Sequence, residues 1–96
     1  MDLGNTIKTI RKRKEIKQNS FAELCGISQT YLSQIENNQK EPNISVLKTI
    51  CSHLNVSLPI LFFLSLDDND VPEKKKQAFA IVGPTVKTLL NELLYD

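Results

Sequence analysis

Residues 18–37 read "QNSFAELCGISQTYLSQIEN", and the folding of this stretch decides the reading of the chain around it. Phe21, Ala22 and Cys25 fall on one face at helical spacing, and Leu32 and Ile35 do so further on. Between the two runs lies "CGIS", residues 25–28. Gly26 suits a reversal with positive φ, and Ser28 is a natural cap for the next helix. The spacing therefore predicts a helix from about Gln18 to Cys25, a tight turn, and a second helix starting at Ser28. At about 100° per residue, Leu32 and Ile35 set the buried direction of that second helix. Thr30, Ser33, Gln34 and Asn37 then point away from it. Gln29 lies at one flank, Tyr31 at the other, and Glu36 borders the buried face. The outward row holds amides and hydroxyls, with no charge on it.

Working outward, a first helix is expected from about Leu3 to Lys14, with Leu3, Ile7 and Ile10 at spacing i, i+4, i+7. Downstream, Asn37–Asn38 suits a left-handed helix exit, and Pro42 disfavours helix at Glu41. Asn43 caps a fourth helix with Val46, Leu47, Ile50 and Leu54 on its apolar stripe. Ser57 with Pro59 opens a fifth, apolar almost all round through Leu64. An acidic linker, "SLDDND", follows. Pro72 is expected to start a sixth helix ending at Gly83–Pro84, and Pro84 to open a seventh. The seventh carries Val86, Leu89, Leu90, Leu93 and Leu94 as an amphipathic stripe. No strand pattern competes. The expected fold is all-α: a five-helix domain over residues 1–65 and a two-helix extension over 66–96.

Composition bounds the function. A chain of 96 residues makes one compact domain with an appended tail. Its longest apolar block, "LPILFFL" at residues 58–64, is too short for a bilayer, and no signal peptide is indicated. The expectation is a cytoplasmic protein with no membrane partner. The net charge of +1 hides an asymmetry, +3 over residues 1–65 and −2 over 66–96. Half of the basic residues lie in "KTIRKRKEIK", residues 8–17, a local field that favours a polyanion. Cys25 and Cys51 fall on apolar stripes and suit reduced core packing. "CSH" at Cys51–His53 lacks a second ligand pair, so no metal is expected. With no phosphate loop, no Ser/His/Asp set and one histidine, no catalytic residue, cofactor or small molecule is expected.

The uncharged outward row suits base edges, since amides pair bidentately with adenine and threonine meets thymine. Around it stand candidate phosphate contacts: Gln18 and the free amides opening helix 2, then Asn37, Asn38 and Lys40. Helix, tight turn, helix and two further short helices make helix-turn-helix anatomy. On "IRKRK" (10–14), "FAELCGIS" (21–28), "YLSQIEN" (31–37) and "LKTICSHLNV" (47–56), the chain resembles the Cro and phage-repressor type of helix-turn-helix domain, the XRE family. The likeness covers residues 3–61.

The resemblance implies double-stranded DNA as partner, with Gln29, Thr30, Ser33 and Gln34 at base-reading positions. It implies backbone contacts at Gln18, Asn37 and Lys40, to which Asn19, Tyr31 and Asn38 are added as flanking candidates. Arg11 and Glu36 match a partly buried ion pair tying helix 1 to the recognition helix. Asn38 stands where the family often has glycine. Two roles compete for the extension. It completes the core of its own chain, or helices 5 and 7 build a two-fold interface through Leu61, Phe62, Leu64, Val86, Leu89, Leu90, Leu93 and Leu94. A homodimer on a palindromic operator is the favoured expectation. The expected function is a sequence-specific transcriptional regulator acting as a repressor. The alternatives are a protein-interaction adaptor with an idle third helix, or an antitoxin with a protein partner.

Overall fold

The computed structural model describes residues 1–95. Its elements are helices α1 (Leu3–Arg13), α2 (Gln18–Cys25), α3 (Gln29–Glu36), α4 (Ile44–Leu54), α5 (Leu58–Ser65) and α6 (Lys76–Leu94). Two short 3-10 turns, Asp68–Asp70 and Glu73–Lys75, precede α6. There is no strand among the described residues.

Local chemistry places the boundaries. The side chains of Asp2, Ser28, Asn43 and Ser57 accept backbone N–H groups and cap α1, α3, α4 and α5. Gly26 ends α2 at φ 69°, and Asn55 ends α4 at φ 56°. Asn38 takes φ 58° just after α3, so asparagine does here what the family often assigns to glycine. α2 differs from its neighbours: its leading residue, Lys17, makes no side-chain cap.

The core is built by five short helices around Ile7, Phe21, Leu32, Ile35, Ile50 and Leu54, all essentially sealed from solvent. α1 packs on α3 and α5, α2 on α3 and α4, and α4 on α5. Among the described residues no single helix is long and apolar enough to cross a membrane.

The extension departs from expectation. Instead of two helices broken at Gly83–Pro84, α6 runs unbroken for 19 residues with Pro84 inside it, and Pro72 precedes a 3-10 turn. A proline removes the bond to the carbonyl four residues back and crowds it, usually at a cost of about 3 kcal/mol. Here Ala80 and Pro84 are both exposed, so the freed carbonyl lies on the side of the helix facing water. Phe79 lies with Phe63 of α5 and Val71 of the linker around one apolar groove, and Leu94 reaches the core of the first five helices, so contacts on both sides of the proline hold one axis. The linker is tied as well. Lys87 Nζ donates to the Leu66 carbonyl at 2.6 Å, and the Met1 ammonium meets Asp67 at 3.1 Å and Asp70 at 2.9 Å. The Asp67 N–H and that ammonium hold the Asp70 carboxyl below its ordinary range, and the two carboxylates raise the ammonium.

Candidate nucleic-acid interface

A buried ion pair lies beneath α3. Arg11 Nε donates to Glu36 Oε2 at 2.7 Å and Nη2 to Oε1 at 3.0 Å, while Nη1 donates to the Ile16 carbonyl at 2.7 Å. The side chains are 6% and 1% exposed, so Glu36 is sealed rather than at the border of the core. This two-point pairing fixes α1 to the last turn of α3, and the third bond satisfies the remaining face of the guanidinium.

The pair extends to the surface through two amides. Gln18 Nε2 donates to Glu36 Oε1 at 3.0 Å, and Gln29 Nε2 donates to Gln18 Oε1 at 3.3 Å. A carboxylate only accepts, so Gln18 must turn its NH2 to Glu36 and its carbonyl to Gln29. Gln29 is thereby oriented from below, and its own carbonyl and second N–H are left for another partner. Its neighbours Thr30, Ser33 and Gln34 line the same shallow cleft of about 390 Å³, together with Gln18 and Gln39. Gln29 and Thr30 are exposed, and Ser33 and Gln34 half-buried. All six lining side chains are uncharged, and the four base-reading candidates are brought together.

The flanking candidates divide. Asn19 and Asn37 are exposed, with Asn37 Nδ2 donating to Ser33 Oγ at 3.4 Å. Tyr31 is half-buried against the core, and the Lys40 ammonium lies 6.0 Å from its ring centre. Asn38 is used within the chain: its Oδ1 accepts from the Gly4 N–H at 3.0 Å and its Nδ2 donates to Asp2 Oδ1 at 2.7 Å. It holds the start of α1 rather than reaching outward. The basic run divides too, because the Arg13 guanidinium stacks on Tyr95 at 4.0 Å while Lys12 stays exposed.

Three residues that position the site escaped sequence reasoning. A Cβ on Gly4 would overlap the Ile35 carbonyl oxygen and lie 2.9 Å from that of Glu36, so only glycine lets α1 approach the end of α3. Asp2 caps α1 and grips Asn38. Gln39 reaches the cleft because the turn at Asn38 folds the chain back, and its N–H donates to the Gln34 carbonyl at 2.8 Å. The left-handed Asn38 was the available signal for that return.

The expected interface residues do not share one surface. Leu61 is fully buried in the core of its own chain, which corrects its expected place in a two-fold interface. Phe62, Leu64 and Leu94 pack against that core. Val86 and Leu90 are half-buried, and Leu89 and Leu93 stand out in solvent. Burial pushes the Cys25 thiol up to about 11 and raises that of Cys51, so both thiols stay protonated near neutral pH.

A family model described as helix-turn-helix matches residues 7–61. The "ImmF control region 10 kDa protein" of Bacillus phage phi105 is 42% identical over 59 residues, 62% of this chain and 66% of that protein. The "Immunity repressor protein" of the same phage is 33% identical over 58 residues, 60% of this chain and 40% of its own. "HTH-type transcriptional regulator SutR" of Escherichia coli (strain K12) is 32% identical over 84 residues, 84% of this chain and 46% of its own. The chain thus spans between 40% and 66% of the length of these relatives. No solved structure gives a significant match. The matched span contains α2, its left-handed turn, α3 and the ion pair beneath them, and on that ground the chain belongs to the XRE-type helix-turn-helix family of transcriptional regulators.

Proposed function

We propose that this protein binds double-stranded DNA by sequence and represses transcription by occupying its site, with α3 in the major groove. One observation carries the reading. The uncharged row of Gln29, Thr30, Ser33 and Gln34 opens onto a single cleft, and Gln29 is oriented through Gln18 by the Arg11–Glu36 pair. Preset amides and hydroxyls of this kind match the donor and acceptor pattern of base edges, which carry the sequence, rather than the charge of the phosphates, which does not. Gln18, Asn19, Tyr31, Asn37 and Lys40 surround the row and are assigned to the DNA backbone. The uncapped start of α2 offers amides to a phosphate as well. Asn38 is assigned to holding the turn. Repression is supported by the likeness to the phage relative named as an immunity repressor.

A homodimer on a palindromic operator completes the proposal. One copy of α3 reads few bases, and a two-fold pair of helix-turn-helix domains reaches two half-sites one helical turn apart. No chemistry is involved, only occupancy.

Selection of bound sequences from a random pool supplies the cognate site. On it, Gln29→Ala and Gln34→Ala are each expected to lose about 1–3 kcal/mol of preference over random DNA. Equal loss on cognate and random DNA removes the base-reading role. Binding that stays constant as salt rises removes the DNA assignment altogether, because counterion release makes such binding strongly salt-dependent.

A further inference from the structure

α6 carries an apolar face that its own chain leaves open. Counted at about 100° per residue, Phe79, Val82, Val86, Leu89 and Leu93 fall within an arc of roughly 80°. They recur at alternating steps of three and four, the period at which two helices pack along their length. Leu93 is 74% exposed, and Val82 and Leu89 are 55% exposed. Leu94, one position on, turns to the core instead.

The two halves of this face differ in shape. The first half is hollow: Phe63, Val71, Phe79, Val82 and Val86 are among the residues lining an apolar groove of about 310 Å³, with Lys75 at its edge. The second half projects, as Leu89 and Leu93. At about 1.5 Å rise per residue, Leu93 lies roughly 16 Å along the helix from Val82, so a molecule cannot fill its own groove. A two-fold axis crossing α6 beside Val86 removes the mismatch. It lays Leu89 and Leu93 of each copy over the groove of the other, and the contact closes on itself.

That axis also makes the two helices antiparallel, and charge favours this direction. Lys74 and Lys75 are exposed just before α6, and Glu92 is exposed in its last turn. Antiparallel pairing brings Glu92 and the negative end of one helix dipole towards the lysines of the other copy. Parallel pairing sets lysine against lysine.

We propose that the protein dimerises by antiparallel pairing of α6 with α6 of a second copy, Leu89 and Leu93 of each seated in the groove beside Phe79 of the other. This rests on the homodimer reading above and adds the face, direction and register.

Single cysteines in the full chain test the register. Under mild oxidation Val86→Cys should form a covalent dimer in high yield, because the axis sets the two copies of position 86 side by side. Leu93→Cys should not, since its two copies lie on the order of 20 Å apart along the pair. The native Cys25 and Cys51 are buried and do not compete. Leu93→Glu should raise the dimer dissociation constant on the order of tenfold or more, seen by sedimentation, with unchanged far-ultraviolet dichroism. Cross-linking of both cysteine variants indicates a parallel pair and overturns the proposal. So does a chain that stays monomeric up to about 100 µM with neither variant cross-linking. A chain that cross-links at position 86 yet shows no preference among DNA sequences upholds the dimer and overturns the DNA reading. A monomer that still prefers its half-site over scrambled DNA does the reverse.

Discussion

In residues 3–65 most of the apolar side chains turn to one shared centre, Leu24 and Ile44 standing out as exceptions, and all thirteen buried hydrophobic residues among those described lie between Ile7 and Leu61. α6 buries only Gly83 and leaves Ile81, Val82, Leu89 and Leu93 more than half exposed. Four of the first five helices start at a side-chain cap, whereas α6 starts at Lys75 without one. The first region is specified at every level from cap to core. α6 is specified on one face only, by α5 and the linker, and its other face is left exposed.

The comparison breaks most visibly at Phe21 and Leu93. Phe21 is fully buried between the helices of the first region, so Phe21→Ala should cost about 3–5 kcal/mol in denaturant unfolding. Leu93→Ala, measured at a dilution where the chain is monomeric, should stay within about 0.5 kcal/mol of the parent. Equal costs would mean that α6 belongs to the core and that the contrast between the two regions is false.

Gly4→Ala sharpens the same contrast inside the first region. The added methyl meets backbone oxygens of Ile35 and Glu36, which cannot swing aside as a side chain can. The expected cost is about 1–3 kcal/mol of stability, read as a lower melting temperature. DNA binding should weaken as well, because the same contact fixes the exit of α3 and the Asn38 turn. Lost stability with unaltered binding would show that α3 holds its place without α1.

Why one region was legible in the sequence and the other was not follows from these particulars. Ser28, Gly26 and the Leu32–Ile35 pair are local signals, and they placed α2, the turn and α3 correctly. Asn43, Ser57 and the apolar steps between them did the same for α4 and α5. The side of α3 carrying Thr30, Ser33, Gln34 and Asn37 was legible because a helix wheel needs only the buried direction, although Ser33 and Gln34 are half-buried there. Gly4, Asp2 and Gln39 were not, since their roles come from residues about 30 positions away or from the chain's return past α3. Gly83–Pro84 misled for the opposite reason: the local breaker signal was strong, but packing of Phe79 beside Phe63 and of Leu94 on the core outweighed it.

Pro84 offers the smallest effect. It denies the Ala80 carbonyl its N–H partner, and Thr88 Oγ1 donates back to the Pro84 carbonyl at 2.9 Å. Because Ala80 and Pro84 face solvent, water already offsets part of the loss. Pro84→Ala should therefore stabilise the chain by only about 1 kcal/mol, well short of the roughly 3 kcal/mol of an unprepared helix interior. Amide hydrogen exchange over residues 80–88 is the direct measurement, with slower exchange expected around the restored bond. Faster exchange, or a lower melting temperature, would mean that α6 bends at Pro84 and that this bend lets Phe79 and Leu94 reach their separate seats. In that case α6 would owe its position to a built-in kink rather than to one apolar face, and a straightened helix should also pair less well with a second copy.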